Sequence, residues 1–77
     1  MAIIRSISRG SSEVSRHRTS VDATYQVVTD NLGTLFHLST YGSDGRVSQP
    51  KVSQTIQFDR TTASDLLTAL REAFPGL

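Results

Sequence analysis

The chain has 77 residues, a formal net charge of +1 and no cysteine. That length holds one domain, and a domain so small buries only about 60% of its unfolded surface. The lack of cysteine excludes disulfide staples, thiolate zinc sites and a cysteine nucleophile together, which leaves self-association as the available staple.

The chain opens Met1-Ala2-Ile3-Ile4-Arg5, without an apolar run long enough for a signal peptide or a membrane span. A cytoplasmic protein with no membrane partner is expected. Isoleucines at 3, 4 and 7 suit a short strand over residues 2–7. Ser8 to Ser20 is rich in serine and arginine, with Val14 as its one clear apolar residue, and cannot supply a core. Residues 1–20 therefore read as an arm, and 21–77 as the folded body. The arm carries Arg5, Arg9, Arg16 and Arg18 against Glu13, a balance of +3, while the body balances at −2. Such an asymmetry suits an anionic partner met by the arm, or a solubilising tail.

Thr24 to Thr29 (Thr-Tyr-Gln-Val-Val-Thr) has the β-branched and aromatic content of a strand. Asp30-Asn31-Leu32-Gly33 follows as a tight turn, since Asn31 and Gly33 tolerate left-handed backbone. In Thr34 to Tyr41, a period of two puts Phe36, Leu38 and Thr40 on an expected core face. Leu35, His37, Ser39 and Tyr41 then take the other face. Gly42 to Lys51 reads as a loop, with a Ser-Asp-Gly turn, Pro50 and two cations, Arg46 and Lys51. Val52, Gln54, Ile56 and Phe58 alternate with Ser53, Thr55 and Gln57, the pattern of a half-buried strand.

Asp59 is the expected N-cap of a final helix, with Thr62 as the other candidate start. Ala63, Leu66, Leu67, Leu70 and Phe74 recur at helical spacing as one apolar stripe, and Pro75-Gly76 ends it. Fully buried, the three leucines and Phe74 would contribute roughly 1.5–3 kcal/mol each. That stripe needs more apolar surface than one short sheet offers, so it is read as core and dimer contact combined. The expected fold class is α+β: a small antiparallel sheet of three to four strands followed by one C-terminal helix.

Catalytic and metal constellations are sparse. The sequence holds no glycine-rich phosphate loop, no His-x-x-x-His pair and only two histidines, His17 and His37. A serine nucleophile would need one of them as its base, and a deep ligand pocket is difficult to build at this length. Neither an enzyme, a cofactor, a metal site nor a small-molecule substrate is expected.

From Tyr25 onward the order of features resembles the single-stranded-DNA-binding transcriptional coactivator family known as positive cofactor four, with its bacterial relatives. The matching pieces are Tyr25 and Val27, Gly33, Tyr41, Asp44-Gly45, Pro50, and Ile56 and Phe58 running into a capped helix. They span about fifty residues. The resemblance implies a homodimer of curved antiparallel sheets, helices at the dimer centre and nucleic acid along the strands. This chain departs from the family pattern at Leu38 to Gly42, which carries no cation and no tryptophan, and its basic loop is reduced to Arg46 and Lys51. The run from Ser53 through Pro75 is also similar to a set of small bacterial proteins.

Two functions follow. The first is binding of nucleic acid, single-stranded DNA above all, in a transcription-related or mobile-element accessory role. Tyr25 and Tyr41 would stack on bases, with Phe36 a further candidate that suits the core better. Arg16, Arg18, Arg46 and Lys51 would take phosphates. The second is a protein-binding regulator or inhibitor, such as a phage or mobile-element adaptor, using the hydroxyl-rich sheet face and the arm. Both assume a homodimer joined through Leu66, Leu67, Leu70 and Phe74.

Overall fold

The computed structural model describes residues 1–42 and 51–77. The elements are β1 (Ala2–Ile3), β2 (Ala23–Asp30), β3 (Gly33–Tyr41), β4 (Val52–Phe58) and α1 (Arg60–Ala73). Among the described residues four strands make one sheet in the order β1-β4-β3-β2, and one helix follows, so the α+β arrangement is the one expected. The sheet is mixed, because β1 runs parallel to β4 while the other pairs are antiparallel.

β1 is shorter than the strand read over residues 2–7. Its register pairs Ala2 with Ile56 and Ile3 with Gln57, and β4 stops at Phe58. A parallel partner therefore runs out of ladder almost at once. The Ile4 N–H still donates to the Gln57 carbonyl at 2.8 Å, and the chain then leaves the sheet. Ile7, Ser8 and Arg9 line an open cavity of about 570 Å³ together with Asp65, Thr68, Ala69 and Glu72 of α1. Residues 7–9 of the arm thus run beside the helix, and Arg9 lines the same cavity as Asp65 and Glu72.

β2 and β3 form a hairpin closed by the pair Asp30–Gly33. The Asp30 carboxylate accepts the Leu32 N–H at 2.9 Å, and Gly33 takes a φ of +126°, a value that L side chains rarely adopt. Asn31 keeps a negative φ; the glycine alone supplies the freedom the turn needs. β4 pairs with β3 from Phe36–Phe58 to Tyr41–Val52, with an irregularity between Thr40 and Tyr41.

Asp59 caps α1. Its carboxylate accepts the Thr62 N–H at 2.9 Å, and the Thr62 hydroxyl accepts the Asp59 N–H at 3.1 Å. This reciprocal box starts the helix where β4 ends. The Phe74 N–H bonds to the Leu70 carbonyl, and Gly76, with φ +90°, follows beyond Pro75.

The core differs from the expectation. Phe58, at 6% exposure, is the one buried hydrophobic side chain among the described residues. The helix meets β3 and β4 through its first two turns, with Thr62 buried and Ala63 and Leu66 half-buried. Leu67, Leu70 and Phe74 stay exposed at 44%, 36% and 60%. The reason is mainly axial: Leu70 and Phe74 lie beyond the two turns that meet the sheet, while Leu67 is turned about 100° around the helix from Leu66. Only part of the stripe can face the sheet. A compact folded chain of this mass exposes about 4,600 Å²; this one exposes 7288 Å².

Candidate nucleic-acid interface

Strand pairing decides which candidate side chains share a surface. In the β2–β3 register Tyr25 faces Leu38 and Val27 faces Phe36, and residues directly opposite point to the same side of a sheet. Tyr25, Val27, Phe36 and Leu38 therefore form one face, continued into β4 by Ile56 and Phe58 through the pairs Leu38–Ile56 and Phe36–Phe58. The face is buried at Phe58 and opens toward β2.

At that open end the rings of Tyr25 and Phe36 stack, with centroids 5.2 Å apart and planes at 18°. Tyr25 is 68% exposed and Phe36 40%. Phe36, read from the sequence as the better core candidate, is instead half of an accessible aromatic pair. Its partner Tyr25 lies on β2, beyond α1, which among the described elements meets only β3 and β4. An open pair of this kind presents π surface that a planar ring can extend by stacking.

Tyr41 is placed differently. It sits on the opposite face and is half-buried, and its hydroxyl bonds the Thr24 hydroxyl at 2.9 Å. Tyr25 and Tyr41 thus do not form one stacking surface. The alternation of β3 carries the signal for this, since positions 25 and 41 fall on opposite sides once the hairpin register is set.

The second face is a polar network. His37 Nε2 and Ser39 Oγ are 2.9 Å apart, and Gln57 Nε2 lies 2.9 Å from His37 Nδ1. With the Gln57 amide donating to Nδ1, the imidazole proton rests on Nε2 and donates to Ser39. That polarity is the reverse of what activates a serine, where the ring must accept the hydroxyl proton. Ser39 is also buried, at 5% exposure. Among the described residues no three His, Asp or Glu side chains are grouped to hold a metal ion.

Scans against protein-family models, curated proteins and solved structures return no match.

Lys51 and the point where the arm enters the sheet lie at the same end. Lys51 is exposed, and its carbonyl accepts the Gly42 N–H at 3.0 Å, which fixes its backbone beside the end of β3. The Asp22 carbonyl accepts the Tyr41 N–H at 3.1 Å, so the arm enters β2 at that same end. Arg18 lies four positions before Asp22, within about 14 Å of extended chain, and Arg16 two further back. Both arginines are exposed. Tyr25 is one same-face step inside this end, after Ala23. Arg46 lies outside the described residues. No helix among the described residues is long and apolar enough to cross a membrane.

Proposed function

We propose that this chain is a non-enzymatic, cytoplasmic module that binds single-stranded nucleic acid as a homodimer. The observation that carries the reading is the exposed Tyr25–Phe36 stack. Its open ring surface continues into a base stack, and each stacked base is worth about 1–3 kcal/mol. Lys51, with Arg16 and Arg18 of the arm, neutralises phosphates along the strand, as does Arg46. The likeness to the coactivator family carries the same expectation, including a transcription-related or mobile-element accessory role.

The homodimer is supported by apolar side chains left open on the folded body, among them Val27, Phe36, Leu67, Leu70 and Phe74. A standard interface buries roughly 800 Å² on each partner. Binding of a labelled thirty-nucleotide strand, followed by anisotropy as salt is raised, tests the function. With two or three phosphates neutralised per protomer, the log–log slope is about −3 to −4 for single strands. A slope near zero, or no binding at low salt, contradicts it.

A second reading rests on a different observation. Leu67, Leu70 and Phe74 form an exposed apolar strip along α1, which suits a protein-binding regulator that lays this helix against a partner. A stoichiometric protein complex that survives nuclease treatment, combined with no affinity for the labelled strand, favours this reading over the first.

A further inference from the structure

β2 is a free sheet edge. It is bonded to β3 alone, and no other element reaches it among the described residues. The alternation of its ladder shows which backbone groups are unused. The Tyr41 N–H bonds to the Asp22 carbonyl, so even-numbered positions of β2 turn their N–H and C=O toward β3, as antiparallel pairing requires. The N–H and C=O groups of Ala23, Tyr25, Val27 and Thr29 therefore point outward. Exposed edges are ordinarily blunted by lysine, proline or a bulge. Ala23 to Thr29 contains no proline and no charged residue. The opposite edge of the sheet, by contrast, is the two-residue β1.

We infer that β2 pairs antiparallel with β2 of a second copy, on a two-fold axis at Val27, giving one continuous eight-stranded sheet. The inference rests on the dimeric reading above and names its surface. The outward backbone groups belong to odd positions, so hydrogen-bonded partners must both be odd. The aromatic face belongs to odd positions too, through Tyr25 and Val27, so the same pairing makes it continuous across the two copies, since opposite residues share a face.

Registers centred on Tyr25, Gln26 and Val27 all meet this requirement. Centring on Gln26 sets Asp22 opposite the partner's Asp30 at both ends, and like charges directly opposite are destabilising. Centring on Tyr25 carries the pairing back to Val21, outside β2. Centring on Val27 keeps every pair within β2, gives about six new backbone hydrogen bonds and meets Asp30 with the partner's Thr24. The same face then carries two Tyr25–Phe36 stacks, with Tyr25 and the partner's Tyr25 about 14 Å apart along the strands. A single strand crossing the dimer meets one platform and then the other.

The cysteine-free chain permits a direct test. Opposite residues of a hydrogen-bonded antiparallel pair have Cα atoms about 5.5 Å apart, within disulfide range. Val27, Gln26 and Tyr25 are exposed, so Val27→Cys, Gln26→Cys and Tyr25→Cys variants keep the fold. Mild oxidation is expected to cross-link Val27→Cys on the order of tenfold faster than the other two. Faster cross-linking of Gln26→Cys or Tyr25→Cys overturns the register. Light scattering on the unmodified chain separates this inference from its foundation. A dimer whose three variants all fail to cross-link associates elsewhere, and the edge pairing is wrong while the dimer stands. A monomer removes both.

Discussion

Asp59 and Thr62 each hold the other's backbone N–H, at 2.9 and 3.1 Å respectively, and the Thr62 hydroxyl also donates to the Asp59 carboxylate at 3.0 Å. Thr62 is the most buried side chain described, at 1% exposure. The joint between β4 and α1 is therefore a closed polar knot beside Phe58, the one buried hydrophobic side chain described. Replacing Thr62 by Val keeps the volume and removes the hydroxyl. A loss of about 1 kcal/mol is expected, seen as a fall in Tm of roughly 4–8 °C. An unchanged Tm would mean the box contributes nothing.

The same knot sets an acid limit. The Thr62 backbone N–H, its hydroxyl and the Thr61 N–H hold the Asp59 carboxyl below its ordinary value, partly offset by desolvation. A carboxyl depressed in the folded state stabilises fully above its unfolded pKa, and that contribution is lost as pH falls through the folded pKa. Thermal stability should thus drop from about pH 4 downward. Asn is also a good N-cap but does not titrate, so in Asp59→Asn this part of the decline should be absent. Parallel Tm–pH curves for the two proteins would count against it.

Neighbouring leucines of α1 should behave differently. Leu66 is half-buried against the sheet side, whereas Leu67 points to the exposed flank. Leu66→Asp is expected to cost more than about 2 kcal/mol; Leu67→Asp should stay within about 0.5 kcal/mol and leave the dimer and the strand affinity intact. Chemical denaturation of both variants, with light scattering, checks this. Loss of the dimer in Leu67→Asp would move association from the β2 edge to the helix.

Much of this fold is legible in the residues. The strands read over 24–29, 34–41 and 52–58 lie within a residue of β2, β3 and β4 at either end, and the Asp59 cap and Pro75-Gly76 bracket the helix to within a residue. The parallel course of β1 is not legible, because Ile3 and Ile4 mark a strand but not its partner or direction. The exposure of Phe36 is not legible either. Period two assigns it a face, yet how much of that face is covered depends on where along β3 and β4 the helix α1 lands. Tyr25 and Tyr41 look equivalent as aromatic strand residues; only the hairpin register separates them.

The strand affinities of Tyr25→Ala and Tyr41→Phe, measured side by side at one low salt concentration with the intact protein, test the central claim most directly. Tyr25→Ala removes the open half of the stack and should weaken binding by about 1–3 kcal/mol, roughly five- to 150-fold. Tyr41→Phe loses only its bond to Thr24 on the far face and should bind as the unaltered chain does. Equal affinity for Tyr25→Ala and the unaltered chain, or a loss confined to Tyr41→Phe, would contradict the assignment of the Tyr25–Phe36 face.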